Sequence, residues 1–483
     1  FYPEMIDALA PTRRSELVVI APPGVELYAS ERNGARLERK RENDASGNTI
    51  LSWVATDLLR PPIESAMPRR EEFAPLVDVT TYSDWNAFGR WWWSFIAKEF
   101  DSSPELEAKA RELTASLEGE REKIAAITRF VGQEIRYNSW PFGTHGYEPF
   151  RASTIFERRF GDCKDKSILL RQMLAQIGVE AIPVLIHAEQ MRSAEPLEAA
   201  MVEQFNHCIA YVTPTAEREG FYLDATADRN PIDYLRPDDQ GAPVLHVSAE
   251  GSSRHEIPYV PPEENAARHT WRIDLRQDGS ARVVFVDESN GEPGVVMRYL
   301  YGGQKEAIED ELARAFNEDF GQVRFEQVET SDLEDITRSA RLEAAFISPS
   351  LGAAQGSGRH LPLAFESLGL DGVAVEDESE RIYPVVLDRP YSVVSQVHWS
   401  LGDAWRVVRL PEEATIEVPG ILRYQLRAAL DGPGRVVISR DFELRVRRIA
   451  LADYASFRAA LETIRLTEQR SLFVEKHSTG GGR

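Results

Sequence analysis

Arg158-Arg159-Phe160-Gly161-Asp162-Cys163-Lys164-Asp165-Lys166-Ser167 is the stretch whose reading decides the fold. It holds one of only 2 cysteines in 483 residues. It ends an extended, turn-rich segment and opens a helix. Ile168, Leu169, Met173, Leu174 and Ile177 follow at near-helical spacing, and Gly178 supplies a stop. Cys163 therefore falls in the first helical turn. Unpaired backbone N–H groups and the helix dipole there favour a negative sulfur, and the thiolate is the nucleophilic form.

Acyl transfer by cysteine needs a base to hold the ion pair and an acid to orient the base. His207 stands at the mouth of an apolar strand, Phe205-Asn206-His207-Cys208-Ile209-Ala210-Tyr211-Val212. Asp224 ends the next strand, in Phe221-Tyr222-Leu223-Asp224-Ala225-Thr226. Antiparallel pairing of these strands brings His207 and Asp224 side by side. Cys208 alternates to the opposite face and reads as core. Cys163, His207 and Cys208 lack ligand-pair spacing, so neither a metal nor a cofactor is expected. Asp165 and Asp228 read as supporting groups or as solvated charges. His145, in Gly143-Thr144-His145-Gly146-Tyr147, reads as a turn residue or as part of a substrate cleft. Its loop lacks the Lys-Ser/Thr ending of a phosphate-binding loop.

The combination Gly161-Asp162-Cys163-Lys164-Asp165, Asn206-His207 and Leu223-Asp224-Ala225-Thr226 resembles the transglutaminase-like superfamily. The resemblance covers roughly residues 105–235. It implies an α+β fold: a papain-like transglutaminase core, with the cysteine helix packed on antiparallel strands, flanked by β-rich domains. It implies Cys163 as nucleophile, His207 as general base and acid, and Asp224 as the orienting carboxylate. Tyr137 matches the oxyanion residue, with Gln133 and Trp140 as alternatives and the Cys163 N–H as second donor. Asp162, His145 and Asn206 are further cleft candidates. Animal transglutaminases carry Gln-Cys-Trp at the nucleophile; Asp162-Cys163-Lys164 stands here, so cross-linking does not follow. The implied activity is a cysteine peptidase or amidase acting on a peptide or protein through a thioester. Protein-glutamine acyl transfer, or a non-catalytic binding or assembly role, are the alternatives. The expected location is the bacterial periplasm or cell envelope, with the cytoplasm left open.

Around this core the chain divides into residues 1–97, 98–255 and 256–483. The first segment is mostly β and opens without a clear first strand, as if cut. Trp91-Trp92-Trp93 suggests either a stacking platform or a linker helix packing between domains. Helices are predicted from Ser103-Pro104 and after Gly119, the latter with Ile124, Ile127, Val131 and Ile135 on one face. Residues 188–201 read as a polar surface loop or helix near the site, and residues 228–262 as loop-rich. The last segment is β-rich. Alternation on both sides of Asp278-Gly279 marks a hairpin, a second begins at Asp431-Gly432, and helices span Gln304–Phe316 and Leu451–Leu466. The tail from His477 reads as disordered.

The net charge of −22, from 78 acids against 56 bases, disfavours nucleic acid and anionic membrane surfaces as partners. No run approaches the roughly 18 apolar residues of a membrane span. Two cysteines make no disulfide framework. The chain begins at Phe1 and reads as trimmed. Nothing in the sequence speaks to oligomeric state.

Overall fold

The computed structural model describes residues 4–5, 11–34, 37–139, 143–190, 192, 197–370, 373 and 381–477. Trp140 and the tail beyond His477 lie outside the described residues. Phe1–Tyr259 and Val260–Arg483 are separate compact units.

The first unit begins with six strands: β1 (Glu4–Met5), β2 (Thr12–Ala21), β3 (Tyr28–Arg32), β4 (Glu38–Asn43), β5 (Thr49–Leu58) and β6 (Leu76–Thr80). They form two antiparallel three-stranded sheets, ordered β1-β6-β3 and β2-β5-β4. The period-2 alternation of Leu51, Trp53 and Ala55 on β5 packs with Val77 and Val79 of β6 in a small core of its own.

Helix α1 (Trp85–Ile96) is capped by Asp84, which accepts from Ala87 N at 2.8 Å. Its residues Trp85, Phe88, Trp92 and Ile96 recur every three or four positions and are buried. Trp85 Nε1 donates to Leu197 O at 2.9 Å, and Trp92 Nε1 to Tyr147 O at 3.2 Å. The tryptophan-rich stretch is thus a helix with Trp85 and Trp92 in the core of this unit and Trp91 and Trp93 packed against it, rather than an exposed platform. Gly89 lets α1 approach a later strand, since a Cβ there would lie 2.7 Å from Ser252 Cβ.

Helices α2 (Pro104–Thr114) and α3 (Glu120–Glu134) follow, the first capped by Ser103 with proline inside the first turn. The stripe on α3 stops at Val131; Ile135 is extended and starts the turn into β7 (Arg136–Tyr137). Helix α4 (Ala152–Arg158), β8 (Phe160–Gly161) and α5 (Cys163–Ala175) come next. The turn-rich segment expected before the cysteine is therefore partly helical. A helix of about two turns leaves too short a periodic pattern to be read.

Strands β9 (Ala181–Ile186), β10 (His207–Val212), β11 (Phe221–Leu223), β12 (Pro243–Ser248) and β13 (Gly251–Glu256) make one antiparallel sheet, ordered β11-β10-β9-β12-β13. The loop-rich residues 228–262 thus also hold two strands that the sequence reading did not place. β12 is a short apolar run framed by loop prolines, and β13, Gly-Ser-Ser-Arg-His-Glu, carries no apolar residue to betray it. Helix α5 lays Leu169, Leu170 and Met173 against Cys208, Ala210 and Val212 of β10. The opposite sheet face buries Val184, Ile186 and Ile209 with Val244 and Ile257. In the segment expected on the surface, Leu197, Ala199, Ala200 and Met201 are buried.

The second unit is built on an eight-stranded sheet running from Arg324–Thr330 at one edge to Ala414–Val418 at the other. All its neighbours are antiparallel except Ala266–Leu275 beside Tyr391–Ser400. Both expected hairpins are present; Gly279 takes a φ of +91° at the first. The helices span Lys305–Phe320 and Leu451–Glu468. A further one, Gly291–Tyr301, was concealed by Pro293 and Gly294. Inside this unit His269 lies 3.4 Å from Asp287 Oδ2 and 3.8 Å from Glu366 Oε2. Arg440 bridges Glu366 at 3.0 Å and Glu468 at 2.6 Å. Among the described residues no helix is long and apolar enough to cross a membrane.

Candidate active site

Cys163 is the first residue of α5, and the turn before it is fixed by reciprocal hydrogen bonds. Asp162 Oδ1 accepts from Asp165 N at 3.3 Å, and Asp165 Oδ2 accepts from Asp162 N at 3.3 Å. Asp165 also accepts from Phe150 N at 2.9 Å and from Arg158 at 2.7 Å. Lys164 is buried against Asp162 as an ion pair. The box closes only over glycine: a Cβ on Gly161 would stand 2.6 Å from Asp165 Cβ. Ahead of it, α4 ends on Arg159 in the left-handed region (φ 59°, ψ 29°). The reversal lets β8 pair in parallel with β7, Tyr137 opposite Gly161. Arg136 N donates to Arg159 O and Asn138 N to Gly161 O, both at 2.9 Å. Ser167 Oγ, one helical turn beyond the cysteine, lies 2.8 Å from Cys208 O and so ties α5 to β10.

His207 opens β10 opposite Ile186 of β9. Pairing of Ala210 with Leu223 sends β11 back towards the same end of the sheet, where Asp224 follows it. His207 Nε2 lies 3.2 Å from Asp224 Oδ2, and Cys163 lines the same cleft as the ring. With Nε2 engaged by the carboxylate, Nδ1 is the nitrogen left for sulfur. Asp224 Oδ1 accepts from Thr226 N at 2.8 Å and Thr226 Oγ1 at 2.7 Å. The structure thus brings Cys163, His207 and Asp224 together from three elements.

Burial disfavours the imidazolium, but the charge and hydrogen bond of Asp224, with Cys163 beside it, raise the His207 pKa to about 10. Burial would raise the Asp224 carboxyl, yet His207 and Arg236 hold it well below the usual carboxylate range. Tyr137, half exposed, has its phenol pushed up to about 12 by burial and by the charges of Cys163, Asp162 and Asp224. It therefore remains a hydrogen-bond donor at neutral pH. Burial pushes the Cys208 thiol up and keeps it neutral.

Trp92, Tyr137, Tyr147, Leu185 and Phe205 line a cleft of about 210 Å³ over Cys163 and His207. Asp162 and Asn206 also reach it. Asn206 braces the neighbouring chain, accepting from Ala188 N and donating to Ala188 O. Gln133 is not brought to the cleft: its Nε2 donates to Asp228 O at 3.1 Å. Nor is His145, whose ring stacks on Phe150 at 3.9 Å and lies 3.1 Å from Glu148 O, as a turn residue does. Trp140 is not among the described residues.

Two site residues escaped the sequence reading. Arg236 Nε lies 3.0 Å from Asp224 Oδ2, the oxygen that also meets His207, and Arg236 Nη2 lies 3.6 Å from the fully buried Asp239. Only the run Arg236-Pro237-Asp238-Asp239 hinted at them, and such runs are usually solvated. His207, Asp224 and Asp239 offer ligand atoms within 4.8 Å of one another, a set able to hold a cation. The guanidinium of Arg236 already supplies positive charge between the two carboxylates, so the set does not fit a resident metal ion.

No curated protein matches the chain. A family model described as a domain of unknown function with a solved structure, DUF3858, matches residues 361–474. Among solved structures, a presumptive protease from Parabacteroides distasonis has 15% identity and a TM-score of 0.61, over 98% of this chain and 74% of that one. A presumptive cysteine protease from Cytophaga hutchinsonii has 14% identity over 53% and 83% of the two chains, with a TM-score of 0.24. The periplasmic domain of TgpA from Pseudomonas aeruginosa has 13% identity over 46% and 74%, with a TM-score of 0.19. The last two superpositions are too loose to carry an argument. The chain is a mixed α and β protein with several antiparallel sheets, and it shares its fold with the Parabacteroides distasonis protein along nearly its whole length.

Proposed function

We propose that the chain is a cysteine hydrolase of the transglutaminase-like superfamily that cleaves amide bonds of a peptide or protein. The observation that carries this reading is one largely covered imidazole, held by Asp224 and sharing a cleft with Cys163. The Cys163 thiolate adds to the amide carbonyl carbon. The Tyr137 hydroxyl and the Cys163 N–H stand ready for the oxygen that gains charge. His207 gives its proton to the departing amine as the C–N bond breaks, leaving a thioester. A water then loses its proton to His207, attacks the thioester carbonyl and releases the carboxylic acid, freeing the sulfur as thiolate and restoring the thiolate–imidazolium pair.

Water is favoured over an amine as acceptor because the site is wet: Tyr137 is 50% exposed and Cys163 is only partly covered. Acyl transfer to an amine uses the same thioester and is the second reading. A bacterial periplasmic or envelope location goes with the proposal through the family resemblance alone.

The test is labelling by a peptidyl electrophile and hydrolysis of a peptide amide library, for the wild type and Cys163→Ala. Loss of both in the variant supports the reading. Undiminished hydrolysis in Cys163→Ala, or wild-type labelling confined to Cys208, overturns it.

A further inference from the structure

Asp224 Oδ2 serves two cations: His207 Nε2 at 3.2 Å and Arg236 Nε at 3.0 Å. Behind Arg236 lies Asp239, fully buried and 3.6 Å from its Nη2, with neither carboxylate oxygen in a hydrogen bond. A buried acid so poorly satisfied is costly unless it does something for its neighbour. We propose that Arg236 is a positioning residue for the site, fixing Asp224 beneath His207 and neutralising its charge, with Asp239 buried behind it as the anchor that orients the guanidinium. The inference rests on the hydrolase reading of Cys163 and His207.

Charge balance gives the reason. Without Arg236, the carboxylate of Asp224 faces the imidazolium uncompensated and locks the proton on His207, which must release it to the leaving amine. With Arg236 in place, the Asp224–Arg236 pair is near neutral, and ion-pair contact at 3.0 Å keeps Oδ2 against the planar guanidinium although Nε makes no hydrogen bond. Asp239 does not undo this balance, because burial and the Asp224 charge push its carboxyl up, towards the neutral form. The other charged or titratable groups facing the cluster are Tyr137 from β7, Lys166 from α5, Asp228 near Lys166, and Asp238 at 3.3 Å from Arg236 Nε. Arg192 approaches the same loop through the Asp238 carbonyl at 2.7 Å. Burial lowers Lys166 to about 8, and its ammonium donates to Gly132 O at 2.9 Å, directed away from the guanidinium's role.

The experiment needs no known substrate. The rate of Cys163 alkylation by iodoacetamide is followed against pH for wild type, Arg236→Gln, Arg236→Lys, Asp239→Asn and His207→Gln, with Cys163→Ala as the blank. Arg236→Gln is expected to move the acid limb of the profile to lower pH, because the more firmly held imidazolium stabilises the thiolate, and to speed alkylation at pH 6 by roughly fivefold. Arg236→Lys, which keeps the charge, is expected to reverse at least half of that shift. Asp239→Asn, which keeps the shape of a neutral acid, is expected to stay within about twofold of wild type. Superimposable wild-type and Arg236→Gln profiles, in proteins with matching circular dichroism, overturn the inference. So does an Arg236→Lys profile no nearer to wild type than Arg236→Gln, since a purely steric role would then suffice. Should His207→Gln also leave the profile unchanged, the hydrolase reading itself falls; a change in His207→Gln alone sinks only the role of Arg236.

Discussion

Asn206 holds Ala188 by both faces of its peptide: Oδ1 accepts from Ala188 N at 2.7 Å, and Nδ2 donates to Ala188 O at 3.0 Å. The clasp joins the chain leaving β9 to the residue just before His207. Asn206→Ala is expected to lower stability by about 1–2 kcal/mol for two lost amide hydrogen bonds and to slow alkylation of Cys163, since His207 loses its neighbour's support. Thermal melting and iodoacetamide kinetics measure the two effects. A destabilised variant with wild-type kinetics would show that the clasp holds only the loop.

The turn before the cysteine is the second place to press. Asp162→Ala removes the cap of α5 and strands the buried Lys164, so roughly 3 kcal/mol or more should be lost from the first unit. Adding Lys164→Met should restore a good part of it. Urea unfolding of both variants provides the comparison, and equal midpoints for the single and double variants would refute a buried ion pair at this position.

The two cysteines should differ sharply. Cys208 is buried on the α5 face of β10 with its thiol pushed up, whereas Cys163 is partly open to the cleft. Brief iodoacetamide treatment at pH 7 should add one carboxamidomethyl group to the native protein and two in urea. Peptide mapping should find the native adduct on Cys163; an adduct on Cys208 would contradict the packing described.

The cleft wall suggests a side-chain preference. Phe205 packs on Trp85 and Phe88, with ring centroids 5.6 and 6.1 Å apart, so that side of the cleft is preformed. A space of about 210 Å³ beside it suits one bulky apolar side chain. Peptidyl electrophiles bearing Phe or Leu should inactivate at least about tenfold faster than those bearing Asp, and Phe205→Ala should narrow that ratio. Equal inactivation rates would remove the preference.

In the second unit, stability should depend on pH through His269. Burial alone would lower its pKa, but Asp287 and Glu366 raise it to about 9, above the ordinary 6.5. A raised folded value means that the stabilisation is complete below about pH 6.5 and is lost as pH climbs through 9. Its partner Glu366 is held down at about 2 against burial by His269 and Arg440, so its share is complete above about pH 4.5 and is lost as pH falls through 2. The unit should be most stable between these limits and lose on the order of 3 kcal/mol towards pH 10. Denaturant midpoints against pH for wild type and His269→Asn test this; an unaltered alkaline slope in the variant would assign the loss to another group.

What the sequence made legible was local. Cys163 carried its own signal, a place in the first turn of a helix, and the alternation in β10 reads as setting His207 and Cys208 on opposite faces. Ser103-Pro104 and Asp278-Gly279 marked their helix and hairpin because cap and turn chemistry act over a few residues. The supporting residues could not be read the same way. Arg236 and Asp239 look like any exposed charges until folding buries them, and nothing in their spacing points to Asp224. Strand β13 is an edge strand exposed from Ser253 to Glu256, so it needs no apolar face. Trp92 was legible only as part of a helix packing its rings, and its places in the core and at the cleft follow from where α1 lies. Gln133 and His145 sat near the right sequence position, yet helix geometry and ring stacking turned them elsewhere.

The two-residue latch between Arg136-Tyr137 and Phe160-Gly161 has a practical consequence for anyone wishing to transplant this chemistry. The spacing of phenol to sulfur is written in main-chain pairing rather than in side-chain packing. A scaffold given the helix alone would carry a nucleophile without its companion donor, whereas one given both short strands and the left-handed corner at Arg159 would inherit the pair already aligned.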